Sequence, residues 1–332
     1  ALDDTGSANG SMGVDAADVD GNGFLYIAIT NYADQQIELF RNVAPGGFFD
    51  EISSVLQIGR DAKPHVNWGL GLIDLDLDSD VDAFICNGHL LKNAKEIEPR
   101  TDYAVANIVM ENQRGRLFRN VSQTVGSALQ QVACSRSAGF DDLDNDGDID
   151  IVVLNCDSPS QLIANESSGG NHWLQLQLCG RSSNRSAIGA KVSVYCSDQQ
   201  QYFEQLNGRG YQSHFGGQIY VGLGAMDTPD STERIATLTA ALDLGAAFID
   251  TARGRLVRCC GRCSSRPQHR RVERAQVPAR SQRPPAWCRG PLGSVGLNAW
   301  SERQSGRTAS ACGPLGPCVM SYSTVWFSSS ER

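Results

Sequence analysis

Three short runs in this chain place oxygen-bearing side chains at alternating positions. They are Asp18, Asp20 and Asn22; Asp74, Asp76, Asp78, Asp80 and Asp82; and Asp142, Asp144, Asp146, Asp148 and Asp150. Counting the first Asp as position 1, side chains at 1, 3, 5 and 9 and the carbonyl at 7 converge on one centre when the backbone curls. Glycine at 6 permits the positive φ of that curl. Donors made only of hard oxygen select Ca²⁺ over zinc or copper, and a large flexible set suits Ca²⁺ better than octahedral Mg²⁺. Carboxylates this crowded repel one another unless a cation sits among them. The third run, with Gly147, meets every requirement; in the second, Ser79 replaces the glycine; in the first, Asn22 replaces an acid and Tyr26 the last ligand. The expected order of affinity is third, second, first. An EF-hand needs a bidentate Glu at position 12 between helices, where this chain has Ile29, Ile85 and Val153 in apolar runs.

The elements around these runs repeat with them. Each first Asp is followed 13 residues later by Asn (Asn31, Asn87, Asn155), and glycines precede each run (Gly13; Gly69 and Gly71; Gly139). Leu-Phe-Arg-Asn occurs at 39–42 and 117–120, with a looser Leu162 to Asn165, and the runs begin 56 and 68 residues apart. That period accommodates one small sheet of about four strands per copy. The spacing predicts an all-β chain with a partial β-propeller over 1–169. Alternation over Trp173 to Leu178 and Ala190 to Tyr195, with Gln218 to Val221, predicts a second, smaller β domain over 170–225. Ile235 to Leu244 has helical spacing and Ala247 to Asp250 suits a strand, so 226–252 reads as a helix-strand fragment. Residues 253–332, rich in Arg, Ser, Pro and Cys, read as a poorly structured, disordered or frame-shifted tail.

Charge divides along the same line. Residues 1–252 carry a net −19 and residues 253–332 a net +11. The acidic part repels nucleic acid and anionic lipid, so no nucleic-acid partner is expected and cations or basic surfaces are. No stretch reaches the about 20 apolar residues of a membrane span, and the chain opens at Ala1 inside a repeat, read as a mature or truncated form without its export signal. Five scattered cysteines (Cys86, Cys134, Cys156, Cys179, Cys196) show no CxxC spacing, and Cys86 and Cys156 lie in apolar runs as buried thiols would. Cys259, Cys260 and Cys263 lack a second ligand pair for a zinc knuckle. His65, His89, His172 and His214 have no partner pattern and read as structural. Asn120, Asn165 and Asn184 begin glycosylation sequons, relevant only in a secreted eukaryotic chain.

At the acidic runs the sequence resembles FG-GAP (VCBS-type) repeats, the blades of integrin α-chain propellers, which carry Ca²⁺ in an Asp-rich hairpin loop; Phe140 stands near that family's aromatic. The likeness covers 1–169. The next segment is similar to the ASPIC/UnbV domain of cartilage acidic protein and bacterial relatives, through Asn171-His-Trp-Leu174, Ser183-Asn-Arg185, Ile188-Gly-Ala-Lys191, Gly208-Arg-Gly-Tyr211 and Val221-Gly-Leu-Gly224. These resemblances imply a calcium-binding, secreted or cell-surface interaction or adhesion protein without catalysis, with an extracellular protein or glycan as partner. Arg234 to Gly245 and Phe248 to Ala252 resemble the first helix and second strand of an aldo-keto reductase. Arg255 stands where that family has its catalytic Tyr, and about 80 residues cannot supply the rest of the barrel, so an NADPH-dependent reductase is the inactive alternative. A glycan-binding propeller face is the other.

Overall fold

The computed structural model describes residues 2, 6–43, 47–167, 171–180, 184–196 and 199–225, with the backbone of 237–241 and 320–325. Three sheets built on antiparallel hairpins account for the first half, the first two of them four-stranded. The first blade runs β1 (Val14–Ala17), β2 (Tyr26–Ile29), β3 (Glu38–Val43) and β4 (Phe48–Glu51), in that order across the sheet. The second uses β5 (Asn67–Ile73), β6 (Asp82–Asn87), β8 (Ile108–Asn112) and β9 (Phe118–Asn120). The third joins β7 (Val105–Ala106) to β10 (Val132–Asp141), β11 (Asp150–Cys156) and β12 (Ser160–Asn165). In each blade an acidic run is the hairpin between the first two strands of the repeat: β1–β2, β5–β6 and β10–β11. This is the all-β, partial-propeller architecture expected from the repeat.

The blades stack face to face, and β6 shows why its apolar run is continuous. All six of its residues are buried. Phe84 and Cys86 enter a core shared with Ile151, Val153 and Ile163 of the third blade; Ala83 and Ile85 enter another with Tyr26, Ala28 and Leu39 of the first. A strand covered on both faces has no polar side to present. Cys86 is accordingly a buried free thiol, raised by burial, as its setting predicts, whereas Cys156 is only half-buried. The first strands of the three blades lie side by side, which explains the glycines before the first two runs: a Cβ on Gly13 would meet the Trp68 carbonyl at 2.2 Å and one on Gly71 the Phe140 ring at 2.5 Å, whereas one on Gly139 would make only ordinary contact with His214 O at 3.5 Å.

A smaller β domain follows. β13 (Asn171–Gln177) pairs antiparallel with β16 (Gln218–Ala225), and β14 (Lys191–Cys196) with β15 (Gln199–Glu204). Its own core gathers Leu176, Val192, Val194, Ile219, Val221 and Leu223. Thr237–Ala241, expected to be helical, is instead strand β17, antiparallel to β14. Its Thr-Leu-Thr alternation finds an unpaired edge there, and tertiary pairing outweighs a helical spacing carried by few residues. The rest of the reductase-like fragment lies outside the described residues. So does most of the tail, of which Met320–Val325 forms β18, parallel to β12. Among the described residues no helix is long and apolar enough to cross a membrane.

The Leu-Phe-Arg-Asn sequences do not occupy equivalent strands. Asn42 lies in β3, third of its blade, and Asn120 in β9, fourth of its own. A four-residue motif fits an inner strand or an edge strand equally, so only pairing partners distinguish them.

Candidate metal centre

The three loops fold to one hydrogen-bonding pattern. The position-5 amides (Asn22, Asp78, Asp146) each donate to the position-1 carboxylate at 3.1 Å and to the position-3 carboxylate at 3.2–3.3 Å. The position-6 amides (Gly23, Ser79, Gly147) donate to the other oxygen of position 1 at 2.8–3.1 Å. Position-7 amides (Phe24, Asp80, Asp148) donate to the position-5 side chain. Two left-handed residues make the curl in every copy, at positions 4 and 6: Gly21 and Gly23, Leu77 and Ser79, Asn145 and Gly147. Sequence reading anticipated position 6 and missed position 4.

This curl brings Asp74, Asp76 and Asp78 together, and likewise Asp142, Asp144 and Asp146, with one oxygen of each residue within 4.8 Å of the others. Position 9 is tied differently. Asp82 accepts from Leu75 and Asn112 amides, and Asp150 from Leu143 and Asn165 amides, so each spends both oxygens holding its hairpin to the third strand. In the first loop Tyr26 donates its hydroxyl to Asp20 and accepts from Asn22. A phenol there closes the loop by hydrogen bonds in place of a carboxylate. Asp80 accepts from the Arg114 amide, outside the gathered trio.

Asn112, which no motif marks, and Asn165, which closes the looser copy of Leu-Phe-Arg-Asn, serve one purpose in successive blades. Asn112 donates its side-chain amide to Val19 O at 3.0 Å, and Asn165 donates to Leu75 O at 2.7 Å, each holding position 2 of the preceding blade's loop. Asn165 is buried in this role, which removes it from the set of sequons open to modification in the folded chain.

Electrostatics set the second loop apart. Asp74, Leu75, Asp76 and Leu77 are buried, whereas in the third loop Leu143 and Asp144 are exposed, as Asp20 is in the first. Burial, then the charge of neighbouring acids, raises Asp74 and Asp82 well above the carboxylate range, Asp76 to about 7 and Asp80 to about 6. Burial also raises Asp18 to about 6 and lifts Asp142 and Asp150. Like charges held this close and this dry are what a hard divalent cation relieves, and the all-oxygen donor set fits one.

The small domain lies over the face that carries the loops. A Cβ on Gly23 would stand 3.2 Å from the Tyr202 ring of β15, one on Gly147 1.9 Å from the Trp173 indole of β13, and one on Gly222 of β16 2.0 Å from Asp74 Oδ2. Tyr220 closes the corner by donating to Asp141 and accepting from the Asp142 amide at 3.1 Å. Between β16 and the arm 206–217 a cavity of about 90 Å³ opens, lined by Asp18, Asp74, Tyr202, Arg209 and His214 among others. The arm itself crosses the three inner strands: Gly210 exchanges backbone bonds with Val14, and the Gly216 amide donates to Phe140 O. Phe215 sits edge-on to Phe140, at 4.6 Å between centroids.

The histidines behave as structural groups where the structure shows them bonded. His65 Nδ1 lies 2.9 Å from Thr101 Oγ1; His89, fully buried, accepts the Leu91 amide and faces Tyr32 Oη at 3.1 Å.

Residues 180–233 match the family model described as ASPIC and UnbV, a span that takes in β14, β15, β16 and the arm. No curated protein matches the chain.

Proposed function

We propose that this chain is a calcium-binding interaction module, its propeller blades of FG-GAP type carrying Ca²⁺ in the loops 74–82 and 142–150 and, more weakly, 18–26. One observation carries the reading: two loops far apart in sequence gather the same trio of carboxylates through the same double left-handed curl. The ion is structural, since each loop is the hairpin of a blade and the first two are bonded to the blade that follows. The third loop has as many carboxylates, so it is burial that makes the second loop the one that gains most from a cation. At millimolar Ca²⁺ and a Kd of about 10⁻⁴ M, each occupied loop adds about 1.4 kcal/mol to stability. The ASPIC/UnbV match supports a secreted or cell-surface setting with a protein or glycan partner and no catalysis.

Thermal unfolding with and without Ca²⁺ tests this, alongside Asp142→Ala/Asp144→Ala and Asp74→Ala/Asp76→Ala. The expected result is a midpoint that rises with Ca²⁺ in the wild type and rises less in each double variant. A cooperative transition indifferent to Ca²⁺ would reduce the loops to solvated turns.

A further inference from the structure

We propose that the small β domain is an integral part of the second cation site, so that cation binding by loop 74–82 and docking of β16 are one reciprocal equilibrium. This rests on the calcium reading of the loops. Gly222 is the pivot. Its backbone is not left-handed; glycine is needed there because a Cβ would lie 2.0 Å from Asp74 Oδ2 and within 2.7 Å of the Leu77 backbone. The position-1 carboxylate is therefore seated against a strand of the other domain, 148 residues further along the chain.

Three hydrogen bonds tie the same loop to the same domain. The Gly224 amide donates to Leu77 O at 2.9 Å, Ser79 Oγ donates to Gly222 O at 3.0 Å, and Asn171 Nδ2 donates to Asp76 O at 2.8 Å. They fall on the residues that most need support. The first loop has glycine at both left-handed positions and the third has Asn145 and Gly147; the second alone places ordinary side chains, Leu77 at φ 62° and Ser79 at φ 85°, in that region. Leucine and serine disfavour it, so the ligand-bearing curl of this loop is held partly from outside. The serine at position 6 gives up glycine's freedom and gains the hydroxyl that reaches β16.

Two events that each require the same loop conformation must favour one another by the same factor in either direction. Cation binding by loop 74–82 then tightens β16 onto the propeller, and the docked β16 raises the loop's affinity. Calcium withdrawal releases the small domain before the blades unfold.

The full chain, stripped with EDTA and titrated with Ca²⁺ by calorimetry, tests this together with amide exchange of β16 at 222–225, the part seated on the second loop and clear of Tyr220, which bonds to the third. In the wild type Ca²⁺ slows exchange in β16; Gly222→Ala lowers the affinity of one site by about tenfold or more, about 1.4 kcal/mol, and weakens that slowing. Gly217→Ala, where a Cβ meets nothing within 4 Å, behaves as the wild type. In Asp74→Asn/Asp76→Asn, Ca²⁺ no longer slows exchange in β16 although the third loop still binds; this arm also decides the matter if Gly222→Ala fails to fold. Calcium uptake by Gly222→Ala equal to wild type at every site, or slowing of β16 retained in Asp74→Asn/Asp76→Asn, overturns the coupling and leaves the cation reading standing. No calcium uptake by the wild type overturns both.

Discussion

Arg209 of the small-domain arm grips the carboxylate of Asp15 in the first blade through two bonds, Nε at 2.6 Å and Nη2 at 2.8 Å, across 194 residues of sequence. The Asp15 side chain is wholly buried, and its oxygens also accept the amides of Ala16 and Leu72. Arg209 donates further to Leu72 O and lies over the Phe215 ring. A fork of fixed donors matched to a dry carboxylate fastens the arm at the crossing of the first two inner strands.

Removing one partner of such a pair strands the other without water. Arg209→Met is expected to cost about 3 kcal/mol in denaturant unfolding, and Arg209→Met with Asp15→Asn to cost less than the single change. Equal losses in the two proteins would show that the arm is held by its backbone bonds instead.

Gly147→Ala combines a left-handed φ of 105° with a Cβ 1.9 Å from the Trp173 indole. Gly208→Ala shares a positive φ, 74°, with nothing within 4 Å of its Cβ. The expected losses are about 1 kcal/mol for Gly208→Ala and at least about 2 kcal/mol more for Gly147→Ala. Thermal melts followed by indole fluorescence compare the two, and similar losses would mean that Trp173 yields at little cost.

Phe140 is edge-on to both Phe84, at 5.8 Å, and Phe215, at 4.6 Å, and so joins the second blade, the third blade and the arm. Phe140→Ala should cost about 3–5 kcal/mol, seen as a lower urea midpoint at unchanged slope. A loss below about 1 kcal/mol would mean that the arm collapses into the space.

Burial lowers the pKa of His65. The unfolded chain therefore takes up a proton near the ordinary histidine pKa, 6.5, while the folded chain does so only at lower pH. The stability tied to a neutral His65 is complete above pH 6.5 and is lost as pH falls below it. His65→Asn should flatten the decline of stability as pH falls below 6.5. An unchanged slope in pH-dependent unfolding would assign the decline to other groups.

Much of this molecule was legible in one dimension. Alternate acids with glycine at position 6, repeated with apolar runs behind them, name the hairpins, their strands and the number of blades, because loop chemistry and strand period are local properties. The glycines before each run were visible as a pattern, and the cause at Gly13, Gly69 and Gly71 was not, since it lies in the approach of inner strands distant in sequence. The shared work of Asn112 and Asn165, the strand formed by Thr237–Ala241 and the inequivalence of Asn42 and Asn120 were likewise decided by pairing across the chain. So was the burial of the loops: the third has the fullest set of residues, and the fold covers the second more deeply, because desolvation depends on what covers a carboxylate and not on its neighbours in sequence. Ser79 shows the limit most plainly: a serine at the glycine position reads as a flaw in the loop, and in the folded chain it is the contact that joins the loop to Gly222.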